Sequence, residues 1–578
     1  MKKLRLLILL FAGIISCSES KSRQNTFRGN SLRIALDHEP STFIPREVMD
    51  YYSSAVLNQI VEGLVGFDAQ TLKITPKIAS TWTQNNEGTL YTFTIRDDIL
   101  FHPHEIFSST KARLLTSKDI VKSFEMACSL NPNKTTTAAY SHVFKNNLKG
   151  AKEFLEGKTK TIAGIQVNGN KLTLELVHED CNFLNKLCYT SVAIVSKQLM
   201  ESKHKNDVIG TGPFMCPGND FQSKSSLTLL KNPDYYLKDG VGTSLPYLDS
   251  LVFVFQDEKE KQVDLFESGN LDLIIGLPTS KTTQMIEGRI KDFNTKPPRL
   301  ILEKNALLES HFYYFNMEDE RFKNPLVRKA FNYAIDKTII GKTLLQNQHF
   351  DMGFCGIVPP VSNALRGYDF NSVKKTGYSY NPEKARKLLA QAGYSNGDEF
   401  GSIELHYRIN DRHAAIANNL SKQLLQVLGV TVNLNGSTFD QLNQDGASGN
   451  GNIFQMGWAA DYASPESFLM NFYGGFLPLD STEKSFVNKS RYSNHLFNRF
   501  FEQAKGSKKI SEQMLLFSKA EAELMKDPPI IPLWYSGDIN IMQSYVRNFH
   551  FNALNYFDFT SVYLKEWNAE EYDLYTNN

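Results

Sequence analysis

Residues 403–434 limit the fold more than any other part of this 578-residue chain. Residues 403–408 have the composition of a strand, a helical pattern runs from His413 to Leu428, and residues 430–434 are again strand-like. Gly429 ends the helix between them. Two strands joined through a helix at this spacing form a βαβ unit, so we expect an α/β sheet in this part of the chain.

The loop at residues 408–413 leads from the first of these strands into the helix. Ligands of open α/β sheets bind outside the carboxyl ends of the strands, and a helix N-terminus favours an anion. Arg408, Arg412 and His413 would add positive charge there. The loop is therefore a candidate anion site, although solvated surface arginines would give the same pattern, above all at Arg412.

A second candidate site lies at residues 457–469, after a short predicted strand. Trp458 and Asp461 fall where that strand runs out into a loop, with Tyr462 next to them. A carboxylate beside two large aromatic side chains can hold a cationic group in a partly dry pocket. The residues alone favour a plainer interpretation, in which Trp458 is core and Asp461 opens the turn before Pro465.

The amino terminus has the organisation of a secretory signal peptide. A basic start is followed by an apolar run at residues 6–15, which is too short to span a bilayer as a mature helix. Ser16 and Cys17 follow, and a Cys after a small residue resembles the lipobox of bacterial lipoproteins, in which that Cys is diacylated. Residues 1–17 are thus predicted to be a signal peptide with a lipidated Cys17, and the polar residues 18–30 a flexible tether.

Composition excludes several classes of protein. The chain has 63 Lys and Arg against 62 Asp and Glu, so nucleic acid is not an expected partner. No further apolar run is long enough to span a membrane. We find no Gly-x-Ser-x-Gly elbow, His-Glu-x-x-His helix or Cys-x-x-Cys pair, and therefore predict neither an enzyme nor a cofactor.

Cysteine and histidine raise two further questions. Beyond Cys17 the chain has an odd number of cysteines, so at least one is free or pairs outside the chain. Cys181 and Cys188 are close enough for a disulfide in an oxidising compartment, and the sequence leaves that pairing open. His102 and His104 flank a proline without a third ligand nearby, so no metal site is predicted there.

The remaining pattern alternates strands with capped helices. Residues 74–82 and 87–96 predict a half-buried hairpin. Asn324 and Asn381 each precede a proline and predict a helix start. Further strands are predicted at residues 32–36, 165–167, 172–176, 192–195 and 301–315, and helices at residues 55–65 and through much of 481–527.

Several motifs in this order resemble the oligopeptide/dipeptide-binding family of ABC-transporter solute-binding lipoproteins, the family 5 extracellular solute-binding proteins. They are Trp458-x-x-Asp461-Tyr462-x-x-Pro465, Gly210-Thr211-Gly212-Pro213-Phe214, and the segments at residues 76–96, 324–336, 381–394 and 528–535. The resemblance runs from about Leu32 to Phe549. It implies an α/β, two-lobed, periplasmic-binding-protein-like type II fold with an extra subdomain in the first lobe.

On this resemblance, lobe I comprises residues 31–60, 190–300 and 535–578, the extra subdomain residues 61–189, and lobe II residues 301–534. Asp461 would bind the α-amino group of a bound peptide. Residues 49–52 would lie extended alongside that peptide. Arg408 and His413 match positions that contact peptide carboxylates in some members. The implied peptide-binding residues are Tyr51, Arg408, His413, Gly457, Trp458, Ala459, Asp461 and Tyr462.

The implied function is that of a lipid-anchored, extracytoplasmic protein on the periplasmic side of a membrane or the cell surface. As a monomer, it would capture oligopeptides between its lobes and deliver them to the membrane permease of an ABC transporter. The same scaffold could bind another solute, such as a metal chelate, haem or a sugar, because fold does not fix the ligand. An exported enzyme is the rival of a different class.

The chain departs from the family pattern in two places. Phe43-Ile44-Pro45 stands where the family usually has Leu-Asp-Pro. An insertion containing His104 separates Phe101-His102 from the helix start at Thr116, and the usual glycine is missing. The family's loop geometry therefore does not transfer to this insertion.

Overall fold

The computed structural model describes residues 31–219, 221, 225–478, 480 and 483–577, so the predicted signal peptide, Cys17 and the tether lie outside the described residues. The strands are β1 Ser31–Leu36, β2 Val65–Phe67, β3 Ile74–Pro76, β4 Ala79–Gln84, β5 Leu90–Ile95, β6 Ile165–Asn168, β7 Lys171–Glu175, β8 Phe214–Met215, β9 Ser226–Lys231, β10 Ser250–Phe255, β11 Leu273–Ile274, β12 Leu300–Phe315, β13 Asp351–Met352, β14 Ile403–Arg408, β15 Val432–Ser437, β16 Ile453–Ala459, β17 Ile530–Gln543, β18 Val546–Arg547 and β19 Tyr563–Leu564.

The α-helices lie between and over these strands. They are α1 Tyr51–Leu57, α2 Ser117–Ala127, α3 Ala151–Leu155, α4 Phe183–Lys186, α5 Lys197–Met200, α6 Lys259–Glu267, α7 Thr279–Gly288, α8 Ile290–Asn294, α9 Glu320–Lys323, α10 Pro325–Ala334, α11 Lys337–Ile339, α12 Phe370–Lys374, α13 Pro382–Gln391, α14 Asp411–Leu428, α15 Phe439–Ser448, α16 Glu466–Leu469, α17 His495–Lys505, α18 Ile510–Lys526 and α19 Ala569–Asn577. Among the described helices, none is both long and apolar enough to cross a bilayer.

A large mixed sheet connects most of the molecule. Its strand order is β15-β14-β16-β12-β17-β11-β1-β10-β9-β8, with β13 also paired to β17. The two long strands β12 and β17 are antiparallel at its centre, and a register shift between Ala306 and Ser310 interrupts their pairing. A separate four-stranded sheet, β4-β5-β7-β6, is built from the first third of the chain.

The predicted βαβ unit is confirmed. β14 and β15 are parallel, with Ile403 opposite Val432 and Arg408 opposite Ser437. α14 connects them, and its Leu420 is buried in the core that covers this part of the sheet. The helix begins two residues earlier than predicted because the Asn410 side chain accepts a hydrogen bond from the backbone N–H of His413 at 2.8 Å.

Several other local predictions are confirmed. β4 and β5 form the predicted hairpin, with Trp82 opposite Phe93. The Asn324 side chain caps α10 by accepting from the Leu326 N–H at 3.0 Å, and the Asn381 side chain caps α13 in the same way. Proline at the first helical position and an Asn cap thus gave reliable helix starts, because both act locally.

Three local predictions are wrong. The helix predicted at residues 55–65 is α1, which begins at Tyr51 and ends at Leu57, because Asp50 accepts a hydrogen bond from the Ser53 N–H at 2.8 Å and starts the helix earlier. For the same reason residues 49–52 do not form an extended segment. The strand predicted at residues 192–195 is irregular, and its Ile194 N–H donates to the Glu62 carbonyl instead of to a strand ladder.

The sulfur atoms of Cys181 and Cys188 are not joined in a disulfide. The Cys188 thiol donates to the Leu184 carbonyl at 3.4 Å. The Cys181 sulfur accepts from the Asn182 side chain at 3.6 Å. Burial raises the pKa of the Cys188 thiol well above its ordinary value, which keeps it protonated and unreactive.

A buried carboxyl group on α18 fixes a loop against the core. Glu521 is fully buried and accepts hydrogen bonds from the backbone N–H groups of Ile357 at 2.6 Å and Val358 at 2.7 Å. The Tyr368 hydroxyl donates to its other oxygen. Burial raises the pKa of Glu521 from 4.5 to about 7, although these hydrogen bonds act in the opposite direction.

We therefore expect Glu521→Gln to change how stability depends on pH. A carboxyl with a raised pKa in the folded state leaves stability intact below pH 4.5 and lowers it as pH rises towards about 7. The loss should reach about 3 kcal/mol, at 1.36 kcal/mol per pKa unit. Urea unfolding of both proteins across this window should show the loss in the wild type only. Parallel pH profiles would contradict the assignment.

Candidate ligand-binding cleft

Two adjoining cavities form a cleft beside the centre of the large sheet. The larger has a volume of about 890 Å³ and the smaller about 330 Å³. Tyr51 and Asn555 line both cavities, which places these two residues at the junction. Ligand pockets usually measure about 300–1,000 Å³, so the cleft has room for a ligand larger than one amino acid.

Carboxylates outnumber the lysines and arginines along the larger cavity. Its charged lining residues are Asp37, Asp257, Glu258, Glu260, Glu309 and Asp538 against Lys259, Lys304 and Arg412. Burial raises the pKa of Asp538. Burial acts on Glu309 in the same direction, but hydrogen bonds from His311 and Ser536 outweigh it and leave its pKa below the ordinary value. This balance of charge favours a ligand that carries a positive group.

Asp461 opens onto the smaller cavity. β16 ends at Ala459, and the Asp461 N–H then donates to the Ser467 hydroxyl at 3.3 Å, which fixes the turn. The Asp461 side chain is exposed to the cavity but closely surrounded by protein. The surrounding protein removes solvent from the Asp461 carboxyl and so raises its pKa, whereas the charge of His142 and a hydrogen bond from Tyr189 act to lower that pKa.

One edge of β16 is largely unpaired. β12 pairs with the opposite edge as far as Ala459. β14 pairs with β16 only at Ile453 and Phe454. Within the described residues, the backbone from Gly457 to Ala459 therefore has no strand beside it on the β14 side, and Ala459 lines the smaller cavity. Such an edge can accept an extended chain as a further strand.

The two aromatic residues of the predicted site pack differently. Trp458 lies within β16, not after it, and is half-buried against an apolar cluster that includes Phe472. Tyr462 is buried, with 2% of its surface exposed, and its hydroxyl donates to Glu466 at 3.1 Å. Its ring lies 6.2 Å from that of Tyr189, so Tyr462 supports the wall of the smaller cavity from behind.

Arg408 and His413 do not line either cavity. Arg408 is exposed, and its guanidinium lies 5.7 Å from the centre of the Phe439 ring. His413 contacts Asn410 and Gln455 through its two ring nitrogens. Burial and the nearby positive groups lower the pKa of His413 to about 4, so its ring is neutral at pH 7. Arg412, for which the sequence left open a surface position or a role in an anion site, lines the larger cavity.

Tyr51 is the predicted site residue at the junction of the two cavities. It begins α1, and its ring is in edge contact with Tyr52 at 5.3 Å and lies 6.0 Å from Phe557. Burial raises the pKa of its hydroxyl, and Asp538 adds to the effect. The hydroxyl is therefore neutral at pH 7 and can donate a hydrogen bond into the cleft.

A family model matches residues 73–476, which is most of the chain; its description is bacterial extracellular solute-binding proteins, family 5. This chain belongs to that family. The oligopeptide-binding protein OppA of Bacillus subtilis is 25% identical over 552 residues, covering 92% of this chain and 93% of that one. Heme-binding protein A of Haemophilus influenzae is 24% identical over 563 residues, covering 94% of this chain and 93% of the relative.

Solved structures show the same fold. DppA of Helicobacter pylori in complex with the peptide STSA has a TM-score of 0.72 at 24% identity, covering 94% of this chain and 99% of that one. HbpA2 of Haemophilus parasuis has a TM-score of 0.75 at 22% identity, covering 93% and 100%. The predicted two-lobed, periplasmic-binding-protein-like α/β fold is thereby confirmed. Family 5 consists of substrate-binding proteins, which agrees with the prediction that the chain is not an enzyme.

The structure of this family 5 solute-binding protein places residues at the cleft that the sequence did not single out. Tyr189 contacts Asp461 from a segment far away in sequence. Glu309 and His311 lie within the long strand β12, where no local pattern marks a site. The sequence did point to Arg412, because this residue lies in the loop that was predicted to bind an anion.

Proposed function

We propose that this protein captures oligopeptides in the cleft and delivers them to the membrane permease of an ABC transporter. The observation that carries the proposal is the position of Asp461, a closely surrounded carboxylate at the end of the unpaired edge of β16. A peptide with a free amino terminus offers both an ammonium group for this carboxylate and a backbone for this edge. Relatives named for oligopeptide and dipeptide binding support the same ligand class.

In this proposal the peptide lies extended along Gly457 to Ala459, with its amino terminus at Asp461. Its later residues pass Tyr51 into the larger cavity, whose volume of about 890 Å³ leaves room for side chains of different size. Because residues 51 and 52 are helical, that side of the cleft offers side chains in place of a second pairing strand. Arg412 lines the larger cavity and is placed to meet a carboxylate there.

The cellular setting belongs to the same proposal. Residues 1–17 act as a signal peptide, Cys17 carries lipid, and residues 18–30 tether a monomer to the extracytoplasmic side of a membrane. Lobe I is assigned to residues 31–60, 190–300 and 535–578, the extra subdomain to 61–189, and lobe II to 301–534. The family's description as extracellular solute-binding proteins supports an extracytoplasmic location.

A haem ligand is the second candidate, because one relative is named a heme-binding protein. The charge of the larger cavity disfavours it. Six carboxylates against three lysine and arginine side chains would repel the propionates of haem, whereas they would attract the ammonium and basic side chains of a peptide.

The protein should bind peptides of many different amino-acid sequences. Backbone hydrogen bonds to β16 are indifferent to side-chain identity, so tri- to pentapeptides of very different composition should bind within about a thousandfold, roughly 4 kcal/mol. Calorimetric titration of ligand-free protein measures this spread, and mass spectrometry of co-purified material should show a mixture of short peptides. A single bound small molecule, or no affinity for any peptide, would contradict the proposal.

A further inference from the structure

Two histidines and an aspartate converge at a place remote from the cleft. His104 lies in the insertion between Phe101 and Thr116, whereas His204 and Asp207 follow α5 about a hundred residues later. His104 Nε2 is 3.1 Å from Asp207 Oδ2, and His204 Nδ1 is 3.3 Å from the same oxygen. One ligand atom from each of the three side chains lies within 4.8 Å of the others.

The two separations from Asp207 Oδ2 match the edges of a zinc coordination shell. Zn²⁺ binds nitrogen and oxygen ligands at about 2.0–2.2 Å in a tetrahedron, which places neighbouring ligand atoms about 3.3 Å apart. The three side chains are also partly withdrawn from water, with exposed fractions of 11% for His104, 22% for His204 and 30% for Asp207. A metal ion there would have an open side for water or a further ligand.

The two carboxylates around His204 favour a positive charge at this place. Its Nδ1 faces Asp207, and its Nε2 lies 2.8 Å from Glu105 Oε1. A neutral imidazole can donate a proton to only one of these carboxylates, so both are satisfied only by a positive charge, either a bound metal ion or a second proton on the ring. If Nδ1 binds a metal, Nε2–H donates to Glu105, which is the carboxylate–histidine–metal arrangement typical of protein zinc sites. Within the described residues, the ion-pair partners of Glu105 and Asp207 are these two histidines.

We propose that His104, His204 and Asp207 bind Zn²⁺, with Glu105 orienting His204. Two imidazoles and one carboxylate suit Zn²⁺ better than Ca²⁺ or Mg²⁺, which prefer oxygen ligands. The ion ties the insertion to the segment after α5. His102 already makes such a connection, because its N–H donates to the Gly210 carbonyl at 2.9 Å.

Metal binding requires one small local change. The Ile106 N–H now lies 3.3 Å from His104 Nδ1. When His104 Nε2 binds the ion, Nδ1 carries the ring proton, so this contact opens. The three ligands line neither cavity of the cleft, and the site is therefore independent of the proposed peptide binding.

The test uses protein produced without a polyhistidine tag and stripped with a chelator. Equilibrium dialysis against Zn²⁺ should give about one ion per chain for the wild type. His104→Ala and Asp207→Asn should each weaken binding by about a hundredfold or more, because each removes a direct ligand. His178→Ala is the matched control, since His178 is exposed and outside the cluster.

Two further readouts separate a built site from adventitious zinc. Co²⁺ in the wild type should give the visible absorption of a tetrahedral complex, and Zn²⁺ should raise the thermal midpoint of the wild type and of His178→Ala but not of His104→Ala. Circular dichroism checks that the variants fold. A stoichiometry well below one in the wild type, or equal Zn²⁺ affinity in the wild type and in folded His104→Ala, would overturn the proposal.

Discussion

Replacing Asp461 with Asn is expected to weaken the binding of a peptide with a free amino terminus by about 2 to 5 kcal/mol. The side chain keeps its shape, but the ammonium entering the smaller cavity loses its charged partner. That ammonium has given up part of its hydration, and a neutral amide restores little of it. Tyr189 and His142, which lie near the carboxylate, do not supply a negative charge at pH 7.

A double-mutant cycle identifies the contact. Acetylating the peptide removes the ammonium, and should cost the wild type a similar free energy. It should cost Asp461→Asn much less, because the two changes remove the same interaction. Isothermal calorimetry of the four combinations measures this coupling.

Asp538→Asn is the matched control for this cycle. Asp538 lines the larger cavity of the same cleft, and burial also raises the pKa of its carboxyl. Acetylation and Asp538→Asn should therefore have additive effects. Coupling at Asp538 with additivity at Asp461 would place the amino terminus in the larger cavity, and would contradict the orientation proposed for the peptide.

The second large effect concerns stability. Lys77→Met is expected to lower the free energy of unfolding by about 3 to 5 kcal/mol, because it leaves two enclosed carboxylates without their cation. Lys77 Nζ lies 3.5 Å from Asp558 and 3.9 Å from Glu62, and its side chain is only 12% exposed. Although burial acts to lower the pKa of Lys77, the two carboxylates outweigh it and hold that pKa above its ordinary value.

Urea unfolding of a small set of variants tests this cluster. Lys73→Met is the matched control: Lys73 lies four residues earlier and is exposed, so its loss should change stability little. Adding Glu62→Gln to Lys77→Met should restore part of the loss, because the amide oxygen can still accept from Tyr235 while the amide NH2 donates to the Thr211 hydroxyl. A Lys77→Met variant as stable as Lys73→Met would show that the carboxylates are satisfied without the lysine.

Local chemistry explains which parts of the fold could be predicted from sequence. The Asn-Pro helix starts at α10 and α13 and the βαβ unit depend on residues next to one another in the chain. The wrong predictions concern segments where a different hydrogen bond replaces the one that the residue pattern implies. Asp50 starts α1 early, and the apolar residues 192–195 look like a strand although Ile194 donates its N–H to the Glu62 carbonyl.

The cleft was predictable only in part, because it is assembled from distant segments. Asp461 and Tyr51 were singled out through the family resemblance, and both line cavities. Tyr189 could not be found, because nothing near it in sequence indicates its contact with Asp461. The same limit applies to the histidines: His104 was judged to lack a third ligand, yet His204 and Asp207 reach it from a hundred residues away.

The position of β17 at the sheet centre also has a consequence for how the chain acquires its structure. β17 pairs with β11, β12 and β13, although it is synthesised after every other described strand of that sheet. The sheet β4-β5-β7-β6 contains all its strands within residues 79–175 and can form early. The large sheet cannot be completed before residues 530–543 are made, so the strands that pair with β17 can meet wrong partners until then.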